Sequence, residues 1–142
     1  MADCELVLRF FAIKETIVQN LGGSLKTLMD RSMQRHLKDD EEKVSTLKKE
    51  YKEILGFLHR VFAGHPFVLP RTRRPSRPAY DALMVGTALI GVGNLSDREA
   101  IISQNFNNAA TTPAKYEVLV GRGNTVEAIK GRIELAKDIL TA

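Results

Sequence analysis

Apolar residues recur at helical spacing through most of the chain. Between residue 3 and about residue 19, Leu6, Phe10, Ile13 and Ile17 fall at intervals of four, three and four, and Val7, Leu8 and Phe11 widen the stripe. This predicts a first helix, with Asp3 placed to cap its start. Asn20-Leu21-Gly22-Gly23 reads as a stop and a turn, because glycine tolerates the left-handed backbone of a helix C-cap. Ser24 is placed to cap a second helix whose inner face holds Leu25, Leu28 or Met29, Ser32 or Met33, and Leu37. The charged stretch Lys38 to Lys43 reads as a solvated connection, and Asp39 and Asp40 suit the positive N-terminal end of a following helix. That long helix is expected over about 40–63. Val44, Leu47, Tyr51, Ile54 or Leu55, Leu58, and Val61 or Phe62 keep its period.

Residues 66–78 break the pattern. Pro66, Pro70, Pro75 and Pro78 leave little room for regular structure, with Phe67-Val68-Leu69 as a short extended piece pinning the loop to the core. A helix then begins near Arg77 or Ala79, with Tyr80, Leu83, Met84, Ala88 and Leu89 facing inward. Gly86, Gly91 and Gly93 weaken it or let another helix approach closely. Ser96 and Glu99 have capping-box spacing for a helix to about Phe106, and the asparagines of 105–108 mark its frayed end. Residues 111–120 are either a short helix opened by Pro113 or an extended segment through Tyr116–Val120. Asn124 and Glu127 suggest a cap for a last helix of about 16 residues, with Val126, Ile129, Ile133, Ala136 and Leu140 on its inner stripe. The expected fold is all-α: five to seven helices packed in antiparallel or orthogonal pairs, with an irregular Pro/Arg loop in the middle.

Composition narrows the function. The 142 residues suit one helical domain, and 44% apolar with 27% charged residues fits a globular chain. The net charge of +4 is local, because Arg71, Arg73, Arg74 and Arg77 account for all of it. A chain built to coat DNA would spread its basic residues, although a local phosphate contact remains open to this loop. The single cysteine, Cys4, excludes an internal disulfide and fits a reducing, cytoplasmic setting. No apolar run approaches the roughly 18 residues of a membrane span, so no membrane partner is expected. The acidic start also argues against a secretory leader.

Candidate chemistry is sparse. Guanidinium groups of the 71–77 loop can clamp phosphate or carboxylate, or can pair with helix ends and with Asp81. Asp81, beside Arg77 and Tyr80, is placed to accept backbone N–H bonds and an arginine fork that orders the loop–helix junction. Glu5 and Arg9 have the spacing and polarity of a helical ion pair. Cys4 has no histidine nearby in sequence to serve as its base, and His36, His59 and His65 form no close cluster. Gly91-Val92-Gly93 and Gly121-Arg122-Gly123 lack the rest of any nucleotide-binding motif. No catalytic residue, cofactor or metal is therefore expected in this chain.

Several segments taken together resemble the helical part of the GmrSD-type restriction-endonuclease N-terminal family. Asp3-Cys4-Glu5-Leu6-Val7-Leu8-Arg9-Phe10-Phe11-Ala12 is similar to that family's D-x-E-L-V-L-R-F-F-A signature. Leu28 to Met33 resembles, with departures, its L-x-x-F-M segment. Phe57 to Phe67 resembles the end of its long helix. Arg77-Pro78-Ala79-Tyr80-Asp81-Ala82-Leu83-Met84 is similar to N-R-A-L-F-D-A-L-M, and Asn124 to Leu140 to the closing helix. In that family a ParB/sulfiredoxin-like part with a D-G-Q-Q-R motif lies before this region, and this chain contains no such motif.

The resemblance implies the C-terminal helical half of a larger ParB-like nuclease or NTPase domain. It implies a non-catalytic accessory role in a modification-dependent restriction or phage-defence protein, with a ParB-like domain or protein as partner. Glu5, Arg9, Phe10, Phe11, Tyr80 and Asp81 are then structural. Leu8, Phe10 and Phe11 would leave an exposed apolar surface where that partner is missing, which makes a homodimer a further expectation. The alternative is a small DNA- or phosphate-binding module that uses Arg71, Arg73, Arg74 and Arg77.

Overall fold

The computed structural model describes residues 2–19, 24–120 and 125–142, with side chains at all of these except 2–5 and 25. It contains the helices α1 (Ala2–Gln19), α2 (Leu25–His36), α3 (Glu41–Val61), α4 (Arg77–Ile90), α5 (Glu99–Thr111), α6 (Pro113–Val120) and α7 (Val126–Thr141). A 3-10 turn at Val92–Asn94 joins α4 to α5. Helix takes up 78% of the described residues and none of them lies in a strand, so the fold is all-α, at the upper end of the expected helix count.

The centre of the molecule is α4. Every residue from Ala79 to Thr87 is buried, as suits a helix that is apolar on nearly all sides. Its main partner is α7, and α1, α3 and α6 pack around it. Gly86 lets α7 come close: a Cβ there would sit 3.3 Å from both Ala136 Cβ and Leu140 Cδ1. This is the close approach that the glycine-rich sequence allowed. Gly91 has a different role, ending α4 at φ +98°.

Four helix starts carry a hydroxyl or carboxylate cap. Ser24, Asp40, Ser76 and Thr125 accept from the backbone N–H of Thr27, Lys43, Ala79 and Ala128. Each such cap stabilises its helix by about 1 kcal/mol. Thr125 caps the last helix in place of the expected Asn124, which lies outside the described residues. The Ser96 box does not form, because Ser96 Oγ donates to the Gly93 carbonyl and α5 starts without a side-chain cap.

The asparagines do not mark an end either, since α5 runs on to Thr111. Asn105 instead donates to the Ile139 carbonyl at 3.1 Å, and Arg98 Nε donates to the Leu140 carbonyl at 2.9 Å. Both satisfy carbonyls that the last turn of α7 leaves without helical partners. Residues 113–120 take the helical alternative.

The second and third helices show where the apolar stripe outruns the core. Of the alternatives Ser32 and Met33, Ser32 is buried and Met33 exposed, and Leu37, placed inward by spacing, is exposed. Along α3, Ile54, Phe57, Leu58 and Val61 are buried. Earlier on the same stripe, Val44 is exposed, while Leu47 and Tyr51 are only half-buried. Among the described residues, no helix covers the first half of this stripe.

Candidate functional site: an apolar trough beside a buried ion pair

Asp81 meets its fork from an unexpected direction. Arg9 of α1 donates from Nε to Asp81 Oδ1 at 3.1 Å and from Nη2 to Oδ2, across 72 residues of sequence. Both side chains are buried. The fork does not come from the neighbouring Arg77, which is exposed and bears on Asp81 through its charge. A solvated loop residue would lose water in reaching Asp81, whereas Arg9 already lies on the buried face of α1. Burial pushes the Asp81 carboxyl above the usual carboxylate range, opposed first by Arg9 and then by Arg132 and Arg77. Arg132 of α7 is itself buried, and burial lowers its pKa while Asp81 opposes that shift. The fork ties α1 to α4, and the charge of Arg132 on α7 bears on it.

A second polar link runs beside it. The Tyr80 hydroxyl donates to the Leu6 carbonyl at 2.5 Å and lies 3.0 Å from the Tyr51 hydroxyl. Its one proton is committed to Leu6, so Tyr51 donates to Tyr80. Burial, and then the Tyr51 hydrogen bond, push the Tyr80 pKa far up, which keeps it a donor. The side chains of Asp3, Cys4 and Glu5 lie outside the described residues, and so does the expected Glu5–Arg9 pair.

Phe10 and Phe11 are core residues, at 0% and 9% exposure, which corrects the expectation of an open phenylalanine surface. The ring of Phe10 meets Phe11 edge-on at 4.9 Å and Tyr51 at 5.6 Å. What stays open is the channel over them. Val7, Leu8 and Phe11 of α1 face Val44, Leu47, Tyr51 and Leu55 of α3 across a cleft of about 730 Å³. A second cleft of about 630 Å³ shares Val7, Tyr51 and Leu55 and reaches Phe67, Arg74, Pro75, Ser76, Arg77 and Tyr80. The two form one trough, floored by apolar side chains and leading to the arginine loop.

That loop is more ordered than its prolines suggest. Val68 pairs with Pro75 in an antiparallel bridge, Ser76 N donates to the Phe67 carbonyl at 2.8 Å, and Leu69 N donates to the Arg74 carbonyl at 3.0 Å. Phe67 stands edge-on to Tyr80 at 5.0 Å, and Leu69 is buried. The extended piece thus pins the loop as expected, and it closes a small hairpin. Arg71, Arg73, Arg74 and Arg77 are all exposed on it. Arg71 lies over the Tyr116 ring at 5.8 Å, and Arg73 holds a left-handed backbone at φ +56°. Arg74 and Arg77 reach the trough, whereas Arg71 and Arg73 do not line it.

His36 closes the other end of the trough. Its Nε2 is hydrogen-bonded to Glu15 of α1 and its Nδ1 to Asp39 of the α2–α3 connection. Burial lowers its pKa, but the Asp39 and Glu15 hydrogen bonds and charges outweigh that, and the net shift is upward from 6.5. Only the Asp39 half of this arrangement was readable, from its spacing of three residues. A histidine whose folded pKa is raised contributes most below its unfolded value, and the contribution fades as pH climbs through the folded value. Urea unfolding at about pH 5.5 and about pH 8.5 should therefore show a larger gap between wild type and His36→Gln at the acidic pH. An equal gap at both would show that the imidazolium does not hold this corner.

Among the described residues, no group of three or more His, Cys, Asp or Glu side chains is placed to hold a metal ion. No described helix is long and apolar enough to cross a membrane. The chain matches no protein-family model, no curated protein and no solved structure.

Proposed function

We propose that this chain is a non-catalytic helical accessory domain of a modification-dependent restriction or phage-defence protein, acting in the cytoplasm. In this reading it is the C-terminal helical half of a larger ParB-like nuclease or NTPase domain, and the ParB-like part docks in the α1–α3 trough. The supporting observation is the uncovered apolar stripe of α3, which with α1 forms a ready-made interface. The test is co-purification with a D-G-Q-Q-R-containing ParB-like segment encoded beside it. We expect a stable complex, lost on Val44→Glu with the melting temperature unchanged, and nuclease or NTPase turnover only when both parts are present. Turnover by this chain alone, or a complex indifferent to Val44→Glu, would overturn the reading.

The exposure of all four loop arginines favours a second reading, a DNA- or phosphate-binding module. It requires DNA affinity that falls steeply with salt and drops when Arg71, Arg73, Arg74 and Arg77 become Ala. Binding that survives those changes would exclude it.

A further inference from the structure

We propose that the trough receives one amphipathic helix carrying acidic side chains along its flank. The inference rests on the docking reading above and names the chemistry of the docked element.

The α3 wall of the trough has the length of a short helix. Its α3 wall presents Val44, Leu47, Tyr51 and Leu55, with spacings of three, four and four residues. At about 1.5 Å per residue these positions span about 17 Å, or three turns. A docked helix would place apolar side chains at positions i, i+4 and i+7 against them, with Val7, Leu8 and Phe11 as the opposite wall.

Cationic side chains line the described trough from the middle of α3 to the arginine loop. Lys48 and Lys52 follow Leu47 and Tyr51 by one residue and form an exposed rail along the α3 edge. Neither forms an ion pair among the described residues, and nor does Arg74 at the far end. Among the described carboxylates, Asp39 and Glu15 bond to His36 and Glu50 to Lys14, while Asp40, which caps α3, and Glu41 lie with Lys48 at the Val44 end. From Lys48 to Arg74 the described rim is therefore positive over an apolar floor, with acidic groups gathered at the Val44 end. A nucleic-acid backbone would satisfy the rim and leave the floor uncovered. A helix with an apolar face and acidic flanks satisfies both.

The probe is a labelled peptide of about 15 residues with leucines at helical spacing and glutamates on both flanks. Its counterpart carries lysines in place of the glutamates. Binding to the full chain is read by fluorescence anisotropy. The glutamate peptide should bind about tenfold more tightly or better at low salt, with the advantage shrinking as salt screens the rim. The Lys48→Glu/Lys52→Glu double variant should invert the preference, and both residues are exposed enough to change without unfolding the chain.

Equal affinity for the two peptides, or an unchanged preference in the double variant, overturns the acidic-helix inference. If Val44→Glu still blocks both peptides in that case, the docking reading stands alone. Binding of neither peptide also overturns the inference, and the co-purification test then judges the docking reading separately. Sedimentation should show a monomer. A dimer abolished by Val44→Glu would assign the trough to a second copy of this chain and overturn the proposal.

Discussion

Asp81→Ala is expected to lower the unfolding free energy by about 3–5 kcal/mol, the usual cost of leaving one member of a buried ion pair without its partner. Arg9 holds the carboxylate directly, and the charges of Arg132 and Arg77 also favour it. Its removal leaves the buried Arg9 guanidinium without the carboxylate to which it is forked. Urea unfolding measures the loss, and a domain of this size has only about 5–15 kcal/mol to lose. The double variant Arg9→Met/Asp81→Leu should lose clearly less than the sum of the single changes, because the charge and its partner leave together. Additive losses would mean that the fork contributes nothing as a pair. In that pair both oxygens of Asp81 are held by Arg9.

Phe10→Ala is expected to cost about 3–5 kcal/mol, from lost transfer energy and from the cavity left under the trough. Phe10 is fully buried and touches the rings of Phe11 and Tyr51. Leu8→Ala, two residues away on the half-buried trough wall, should cost well under half as much. Thermal and urea unfolding of the two variants decide the point. Similar losses would mean that the trough wall is core rather than an uncovered interface. The contrast also distinguishes a stability defect from a docking defect, since Leu8→Ala should weaken capture of a partner more than it weakens the fold.

Much of the fold was legible because helix periodicity and capping chemistry are local. The stripe Val126, Ile129, Ile133, Ala136 and Leu140 is buried as read, and Ser24 and Asp40 stand at helix starts with their side chains in place. The failures have local causes as well. Ser96 has capping-box spacing, but its hydroxyl finds the Gly93 carbonyl and the helix starts at Glu99 without it. Asn105 reads as a helix end on composition, yet its amide has a better partner in the α7 carbonyls, which no short window of sequence reveals. The site was legible in its residues and not in their pairings. Arg9, Tyr80 and Asp81 all stood out, but the nearest arginine in sequence to Asp81 is Arg77, and the partner in space is Arg9. The uncovered half of the α3 stripe could not be told from its covered half, because both obey the same period.

The reach of the α1–α4 links bears on when the trough exists. Arg9 to Asp81 and Leu6 to Tyr80 close segments of 72 and 74 residues, so α1 gains these bonds only after the chain between has been brought together. One wall of the trough is α1 itself. An opening of the molecule that releases α1 therefore dismantles the trough while leaving α4 on α7. A partner seated there binds the fully closed chain alone, and by mass action it raises the free energy of that opening. Occupancy of the trough and slow hydrogen exchange along α1 should then rise together.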